Sequence, residues 1–138
     1  MELVTESRGA IDLTATPVHL GLGSRALPVE GFEWDGRVLE AYATAVAEDG
    51  AESRMVMVFE GSRSWDTWGP HPAGDEVVIC PSGRMTVIRE VEGEHEPVGL
   101  GPSEAIINPS GVWHTANLHE PVRCMTITPG QGTEHRPR

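Results

Sequence analysis

The strongest signal for the fold of this 138-residue chain is the stretch His71-Pro-Ala-Gly-Asp-Glu-Val-Val-Ile-Cys-Pro-Ser-Gly83. Its apolar run, residues 77–79, lies between turn-forming residues, a pattern typical of a buried β-strand. Because side chains alternate along a strand, Glu76 is expected to face the same side as Val78. If that side is the interior, a carboxylate lies beside His71 at the mouth of an apolar barrel. A buried carboxylate needs a partner, and a metal ion is a suitable one.

A second cluster, Pro109-Ser-Gly111-Val-Trp-His114, supplies another imidazole far along the chain. Folding that brings His71, Glu76 and His114 together would create two nitrogen ligands and one carboxylate ligand. Such a set suits a divalent first-row metal such as iron, manganese, zinc, nickel or copper. These three residues are therefore the predicted metal site. The sequence singles out no further catalytic residue.

At these positions the sequence resembles the cupins. Four residues separate His71 from Glu76 and six separate Glu76 from Gly83, which is the spacing of the first cupin motif. Residues 109–114 keep the proline, glycine and histidine spacing of the second motif. The run Trp68-Gly-Pro-His71-Pro-Ala-Gly-Asp-Glu76 is similar to a subgroup of small bacterial cupins. The resemblance implies an all-β fold, a cupin-type jelly-roll β-barrel (double-stranded β-helix).

The sequence departs from the cupin pattern at residue 69, where glycine stands in place of the first histidine of the first motif. The usual four protein ligands therefore shrink to His71, Glu76 and His114. Asp75 could replace Glu76, or a water could fill the vacancy, and Gly69→His would restore the fourth ligand if residue 69 faces inward. Three ligands with open positions are typical of catalytic metals, whereas structural sites are usually closed. A metal-free relic would have the same residues.

The resemblance implies a small metal-binding protein, and we interpret it first as a metal-dependent enzyme of oxygenase or isomerase type. Its substrate would be a small organic molecule held inside the barrel. The alternative is a non-catalytic module that binds a small molecule and whose metal site is degraded at Gly69. A third interpretation is a structural unit with a relic site. The resemblance further implies a homodimer, in which a partner copy completes the sheet of the N-terminal strands.

The composition gives 21 acidic against 10 basic residues and a formal charge of −11. No basic patch could neutralise phosphates, so nucleic acid is not an expected partner. No apolar run approaches the ~20 residues that a membrane span requires. The amino terminus lacks the basic start and apolar stretch of a secretory signal. We therefore expect a cytoplasmic protein that contacts no membrane, with Cys80 and Cys124 as buried free thiols.

The length predicts one domain over residues 1–138. Residues 1–30 are expected to form arm strands, residues 54–128 the barrel core, and residues 129–138 a polar, loose tail. Turn residues separate many short strands, which is typical of a sandwich or barrel. The predicted core strands are 55–59, 76–80, 85–91, 98–100, 105–108, 113–118 and 122–128.

One short helix is predicted near residues 36–48, where apolar residues recur at helical spacing. Asp35 is a suitable N-cap, and Gly50 could end the helix. A strand is the alternative, because Val38, Tyr42 and Val46 would also share one face of an extended chain.

Other histidines and tryptophans carry weaker signals. The histidines outside the motifs are expected at the surface; they are His19, His95, His119 and His135. Three tryptophans flank the predicted ligands, namely Trp65, Trp68 and Trp113. At least two of them are expected to pack in the interior or an interface, and one could form a wall of the ligand pocket. The alternating glutamates of residues 90–96 are expected to form a solvated hairpin.

Overall fold

The computed structural model describes residue 3 and residues 9–138 of the chain. The described part is built mainly from short antiparallel strands and contains one α-helix. The strands are β1 (Val18–Gly21), β2 (Arg25–Pro28), β3 (Arg54–Gly61), β4 (Thr67–Trp68), β5 (Glu76–Ser82), β6 (Met85–Val91), β7 (Glu94–Leu100), β8 (Glu104–Asn108), β9 (His114–Leu118), β10 (Val122–Thr128) and β11 (Arg136–Pro137). The helix is α1 (Gly36–Ala45), and short 3-10 segments cover Leu22–Ser24 and Ala47–Glu52.

Two sheets form the barrel. The first has the strand order β2-β1-β3-β10-β5-β8, and the second has the order β7-β6-β9. A bridge between Gly69 and His114 extends the second sheet to the end of β4, which in turn pairs with β11. Strands β3 to β10 are thus distributed over two layers, β3-β10-β5-β8 and β4-β9-β6-β7, which is a jelly-roll topology. The predicted all-β jelly roll with one short helix is confirmed.

Burial along β5 follows the expected alternation. Glu76, Val78 and Cys80 are buried, whereas Val77 and Ile79 are only half-buried. The carboxylate of Glu76 therefore points into the same interior as the apolar residues of the strand. Both sheets contribute to one apolar core, whose buried members are Val78, Cys80, Met85, Val87, Leu100, Ile106, Ala116, Val122 and Cys124.

The helix α1 begins where its cap was predicted. The side chain of Asp35 accepts a hydrogen bond from the backbone N–H of Arg37, which satisfies one of the free donors of the first turn. The helix ends at Ala45, a few residues before the predicted end, and the strand alternative is wrong. Gly50 has a φ of 54° inside the 3-10 segment that follows. Among the described residues, no helix is long and apolar enough to cross a membrane.

The N-terminal strands complete the sheet of their own chain. β1 pairs with β2 on one side and with β3 on the other, so the barrel itself supplies the sheet that the arm extends. Residues 1–2 and 4–8 of the predicted arm lie outside the described residues. The homodimer stays a prediction.

The C-terminal tail, which was expected to be loose, is held against the barrel. β11 pairs antiparallel with β4, and the backbone N–H of Arg138 donates to the carbonyl of Asp66. The guanidinium of Arg136 lies 5.4 Å from the ring centre of Trp68 and 4.7 Å from that of Trp113. Such cation–π contacts stabilise the position of this short segment, although its polar composition suggests a loose tail. Two-residue strands have no sequence periodicity, which is why the pattern missed β4 and β11.

Candidate metal centre

The three predicted ligands lie together at one end of the barrel. His71 precedes β5, Glu76 begins β5, and His114 begins β9. One ligand atom from each side chain can be chosen so that all lie within 4.8 Å of one another. Nε2 of His71 lies 3.0 Å from Oε2 of Glu76, and Nε2 of His114 lies 2.9 Å from Oε1. The carboxylate therefore lies between the two imidazoles.

Hydrogen bonds between two loops bring the distant histidines together. The hydroxyl of Ser110 donates to the carbonyl of Pro72 at 2.7 Å, and the N–H of Gly111 donates to the carbonyl of His71 at 3.2 Å. Gly111 has a φ of 76°, which glycine adopts without strain. The turn that carries His114 is thus joined directly to the loop that carries His71.

Glu76 accepts further hydrogen bonds from two residues that the sequence reasoning missed. The amide of Asn108 donates to Oε1 at 3.3 Å, and the hydroxyl of Thr128 donates to Oε2 at 2.7 Å. Asn108 lies directly opposite Glu76 in the β5–β8 ladder, and Thr128 ends β10. The side chain of Glu76 is only 4% exposed, so these donors compensate a carboxylate that has lost its water.

Each imidazole is oriented through its other nitrogen. Nδ1 of His71 lies 2.9 Å from the hydroxyl of Thr133, and Nδ1 of His114 lies 3.3 Å from the carbonyl of Val112. A proton on each Nδ1 would leave the Nε2 lone pair free for a metal ion. Partners of this kind fix the tautomer and ring orientation in metal sites.

His114 and Glu76 form a charged pair when no metal is bound. Both nitrogens of His114 face oxygen acceptors, so both carry protons. Burial by itself would lower the pKa of His114, but the hydrogen bond to Glu76 and its negative charge raise that pKa overall. Burial would raise the pKa of Glu76, but the hydrogen bonds from His114 and His71 hold it far below its ordinary value of 4.5.

The metal-free protein should lose stability as the pH rises through the range in which His114 deprotonates. Because the folded-state pKa of His114 is raised, its contribution is complete below the ordinary value of 6.5 and is lost above the raised pKa. The pKa of Glu76 is lowered, so this residue contributes its full stability above pH 4.5, its ordinary pKa. That contribution is lost only in strong acid. Urea unfolding of chelator-treated protein from about pH 5 to pH 9 measures this slope. His114→Gln should flatten it, and an equal slope in both proteins would contradict the assignment.

Asp75 does not replace Glu76 in this arrangement. Its side chain is exposed, and Oδ1 accepts the backbone N–H of Ser110 at 2.9 Å. That bond strengthens the joint between the two loops. The alternative in which Asp75 serves as the carboxylate ligand is therefore disfavoured.

A cavity of about 930 Å³ reaches from the metal-site residues to the helix. On one side, α1 and the segment after it present Leu39, Tyr42 and Val46, which recur at helical spacing on one face. On the other side lie side chains of β3 and β10, together with His71, Glu76 and His114. The volume is in the usual range for small-molecule sites.

The tryptophans divide between the two expected roles. Trp65 lines the cavity, with its ring centre 6.4 Å from that of His114. Trp68 is 7% exposed and packs with Trp113 around Arg136. Trp34, which the sequence analysis did not single out, also lines the cavity and stacks on Phe59 at 6.1 Å.

His19 is fully buried, which corrects the expectation of a surface position. Its Nε2 lies 2.7 Å from Oδ2 of Asp49, and its Nδ1 lies 2.7 Å from the hydroxyl of Tyr42. Asp49 also accepts Arg25 at 2.7 Å. Because a carboxylate only accepts, Nε2 of His19 donates to Asp49. Burial raises the pKa of Tyr42, which keeps the phenol that lines the cavity neutral.

Both cysteines are buried free thiols, as predicted. Burial, with the charge of Glu76 and the neighbouring Cys80, raises the pKa of Cys124 to about 12. Burial likewise raises the pKa of Cys80. Neither thiol is therefore poised as a nucleophile.

The fold and this cluster define the chain as a jelly-roll protein with a candidate metal centre at the end of a cavity. No family model matches the sequence, and no curated protein matches it significantly.

The chain is similar to several solved structures of low identity. A cupin-2 domain protein from Shewanella frigidimarina is 22% identical, with 55% of this chain and 70% of that chain covered and a TM-score of 0.48. A cupin superfamily protein from Desulfitobacterium hafniense is 13% identical, with 54% and 65% covered and a TM-score of 0.47. Hydroxypropylphosphonic acid epoxidase from S. wedmorenis, in complex with fosfomycin, is 10% identical, with 54% and 43% covered and a TM-score of 0.47. The match spans less than half of the epoxidase, and no property of these proteins carries over at this similarity.

Proposed function

We propose that this chain is a small metal-binding protein of cupin type that acts as a metal-dependent enzyme on a small organic molecule. The proposal rests on one observation, the convergence of His71, Glu76 and His114 within 4.8 Å beside a cavity of about 930 Å³. The reaction would be of oxygenase or isomerase type.

The residues present fit a divalent first-row metal. Two imidazole nitrogens and one carboxylate oxygen suit iron, manganese, zinc, nickel or copper, and with open positions they are the ligand set of non-haem iron(II) sites. Metal ligands are usually held in orientation by hydrogen bonds to neighbouring groups. Here Thr133 and Val112 contact the two imidazoles, and Thr128 donates to the carboxylate. When bound, the metal would supply Lewis acidity to a substrate oxygen.

The chain itself would bind the substrate and exclude water. Met57, Phe59 and Trp65 offer apolar and aromatic surface in the cavity. Tyr42 also lines the cavity and presents a phenol hydroxyl, a group that can hydrogen-bond to a hydroxyl or amine of the substrate. The cavity therefore favours a small molecule with an apolar body and a few polar groups.

A non-catalytic binding module is the second candidate, and a specific observation favours it. Glu76 is compensated without any metal, because His71, His114, Asn108 and Thr128 all approach its oxygens. A metal must displace part of this network. A protein that holds its ligand by the cavity alone would need no such exchange.

Metal uptake separates the two functions. Calorimetric titration of chelator-treated protein with ferrous, manganous and zinc ions should give one ion per chain. Because Nε2 of His114 must lose its proton to bind, affinity should rise with pH and binding should release protons. His114→Ala should weaken binding at least roughly 100-fold, since loss of an outer partner alone costs 10–100-fold.

His119 provides the matched control for this experiment. It is exposed and bonds to Thr86 on β6, away from the cluster. His119→Ala should bind metal as the unmodified protein does. Failure of the unmodified protein to take up any of the three ions would refute the enzyme proposal and leave the binding module.

A further inference from the structure

The space that Gly69 leaves open is bordered by a histidine from the C-terminal segment. In the β4–β11 pair, Arg136 lies opposite Trp68 and Pro137 lies opposite Thr67. Continuing this register by one residue places His135 opposite Gly69. A Cβ atom at Gly69 would lie 3.5 Å from Nδ1 of His135, and both residues line the cavity.

The C-terminal segment turns different side chains toward the cavity and toward the barrel wall. Thr133 and His135 line the cavity, and Thr133 already contacts Nδ1 of His71. Arg136 instead packs on Trp68 and Trp113 and pairs with a carboxylate of the β6–β7 hairpin. The anchored arginine therefore fixes the backbone from which His135 projects beside the metal-site residues.

We propose that His135 is a fourth protein ligand of the metal centre, replacing from the C-terminal segment the imidazole that position 69 lacks. This inference rests on the proposed metal function. The ligand atoms of His135 lie outside the cluster formed by His71, Glu76 and His114 among the described residues. His135 is an exposed residue at the edge of the cavity, so its side chain has room to rotate toward a bound ion.

The same geometry changes what Gly69→His should do. A Cβ at residue 69 would lie 3.0 Å from the backbone oxygen of Glu134, closer than ordinary contacts allow. The single substitution therefore requires the C-terminal segment to shift by a few tenths of an ångström, and its new imidazole competes with the ring of His135 for the same space. With His135→Ala in the same chain, the new imidazole no longer meets the ring of His135, and only the small shift imposed by the Glu134 oxygen remains.

The test compares the unmodified protein, His135→Ala and the control His119→Ala. Each is titrated with zinc by calorimetry, and each is loaded with cupric ion for pulsed electron paramagnetic resonance, which counts bound imidazoles. We expect His135→Ala to bind zinc at least roughly tenfold more weakly. Loss of a residue that merely orients a metal ligand already costs about tenfold, and loss of a ligand should cost no less. The imidazole count should fall from three to two, while His119→Ala changes neither quantity.

The outcomes distinguish this inference from the proposed function. If the unmodified protein binds both ions with two imidazoles and His135→Ala binds equally well, His135 is no ligand although the metal function stands. If the unmodified protein binds neither of these ions and also takes up no ferrous or manganous ion, both fail. Equal thermal unfolding of metal-free unmodified protein and His135→Ala excludes loss of fold as the cause. Gly69→His with His135→Ala should return the imidazole count to three, and a count of two would contradict the shared position.

Discussion

Glu76→Ala is expected to lower the free energy of unfolding of the metal-free protein by about 1–3 kcal/mol near neutral pH, the usual cost of leaving a buried polar group without its partner. Without Glu76, burial lowers the pKa of His114, so this imidazole, which is 4% exposed, becomes neutral and the charged pair is lost. It also removes the acceptor of Asn108 and Thr128, and buried donors without acceptors are costly. The same variant should bind no metal, because it lacks the carboxylate ligand.

Urea unfolding and zinc titration of the same preparations measure both effects. Glu94, an exposed glutamate on β7, provides the control, and Glu94→Ala should change stability by no more than about 0.5 kcal/mol. Glu76→Gln keeps the volume and one acceptor oxygen, so its stability loss should be smaller although metal binding still falls. Zinc affinity in Glu76→Ala equal to that of the unmodified protein would refute the assignment of Glu76 as a ligand.

His19→Ala is expected to lower the free energy of unfolding by about 3 kcal/mol, with contributions from a buried cavity and from lost hydrogen bonds. His19 is fully buried and links Asp49 to Tyr42. Without it, the carboxylate keeps Arg25 and the backbone N–H of Leu22 among the described residues, and the phenol of Tyr42 loses its imidazole partner. Because β1 carries His19 and α1 carries Tyr42, the loss should also loosen the helix that walls the cavity.

Thermal and urea unfolding measure this effect, with His119→Ala as the exposed control of the same residue type. Hydrogen exchange should show faster exchange of the α1 amides in His19→Ala, since the helix loses one of its polar contacts to the barrel. A loss no larger than that of the control would show that the network contributes little to the fold.

Local sequence patterns were sufficient to predict the many short strands of a sandwich or barrel. They were also sufficient to identify the three residues of the cluster. Alternation along residues 76–80 identifies which side of β5 faces inward, so the burial of Glu76 follows from its neighbours. The spacing of residues 71–83 and 109–114 predicts the convergence of His71, Glu76 and His114, whose metal role stays a proposal. The capping side chain of Asp35 predicts where α1 begins. Each of these signals extends over only a few residues. Over that distance, the spacing of residues is enough to predict which way a side chain faces.

Contacts between distant parts of the chain were decided by tertiary structure alone. Thr128 lies 52 residues from Glu76, and Thr133 lies 62 residues from His71, so no local spacing relates them. His19 has no motif around it, and it is buried because Asp49, 30 residues later, supplies its partner. Alternation along the strands is a local property, so the residues alone predicted many short strands and the inward carboxylate, whereas the jelly-roll topology was what the resemblance implied. Only the folded chain decided that a polar C-terminal segment returns to β4 and places His135 beside Gly69, since pairing of two-residue strands depends on the packing around them.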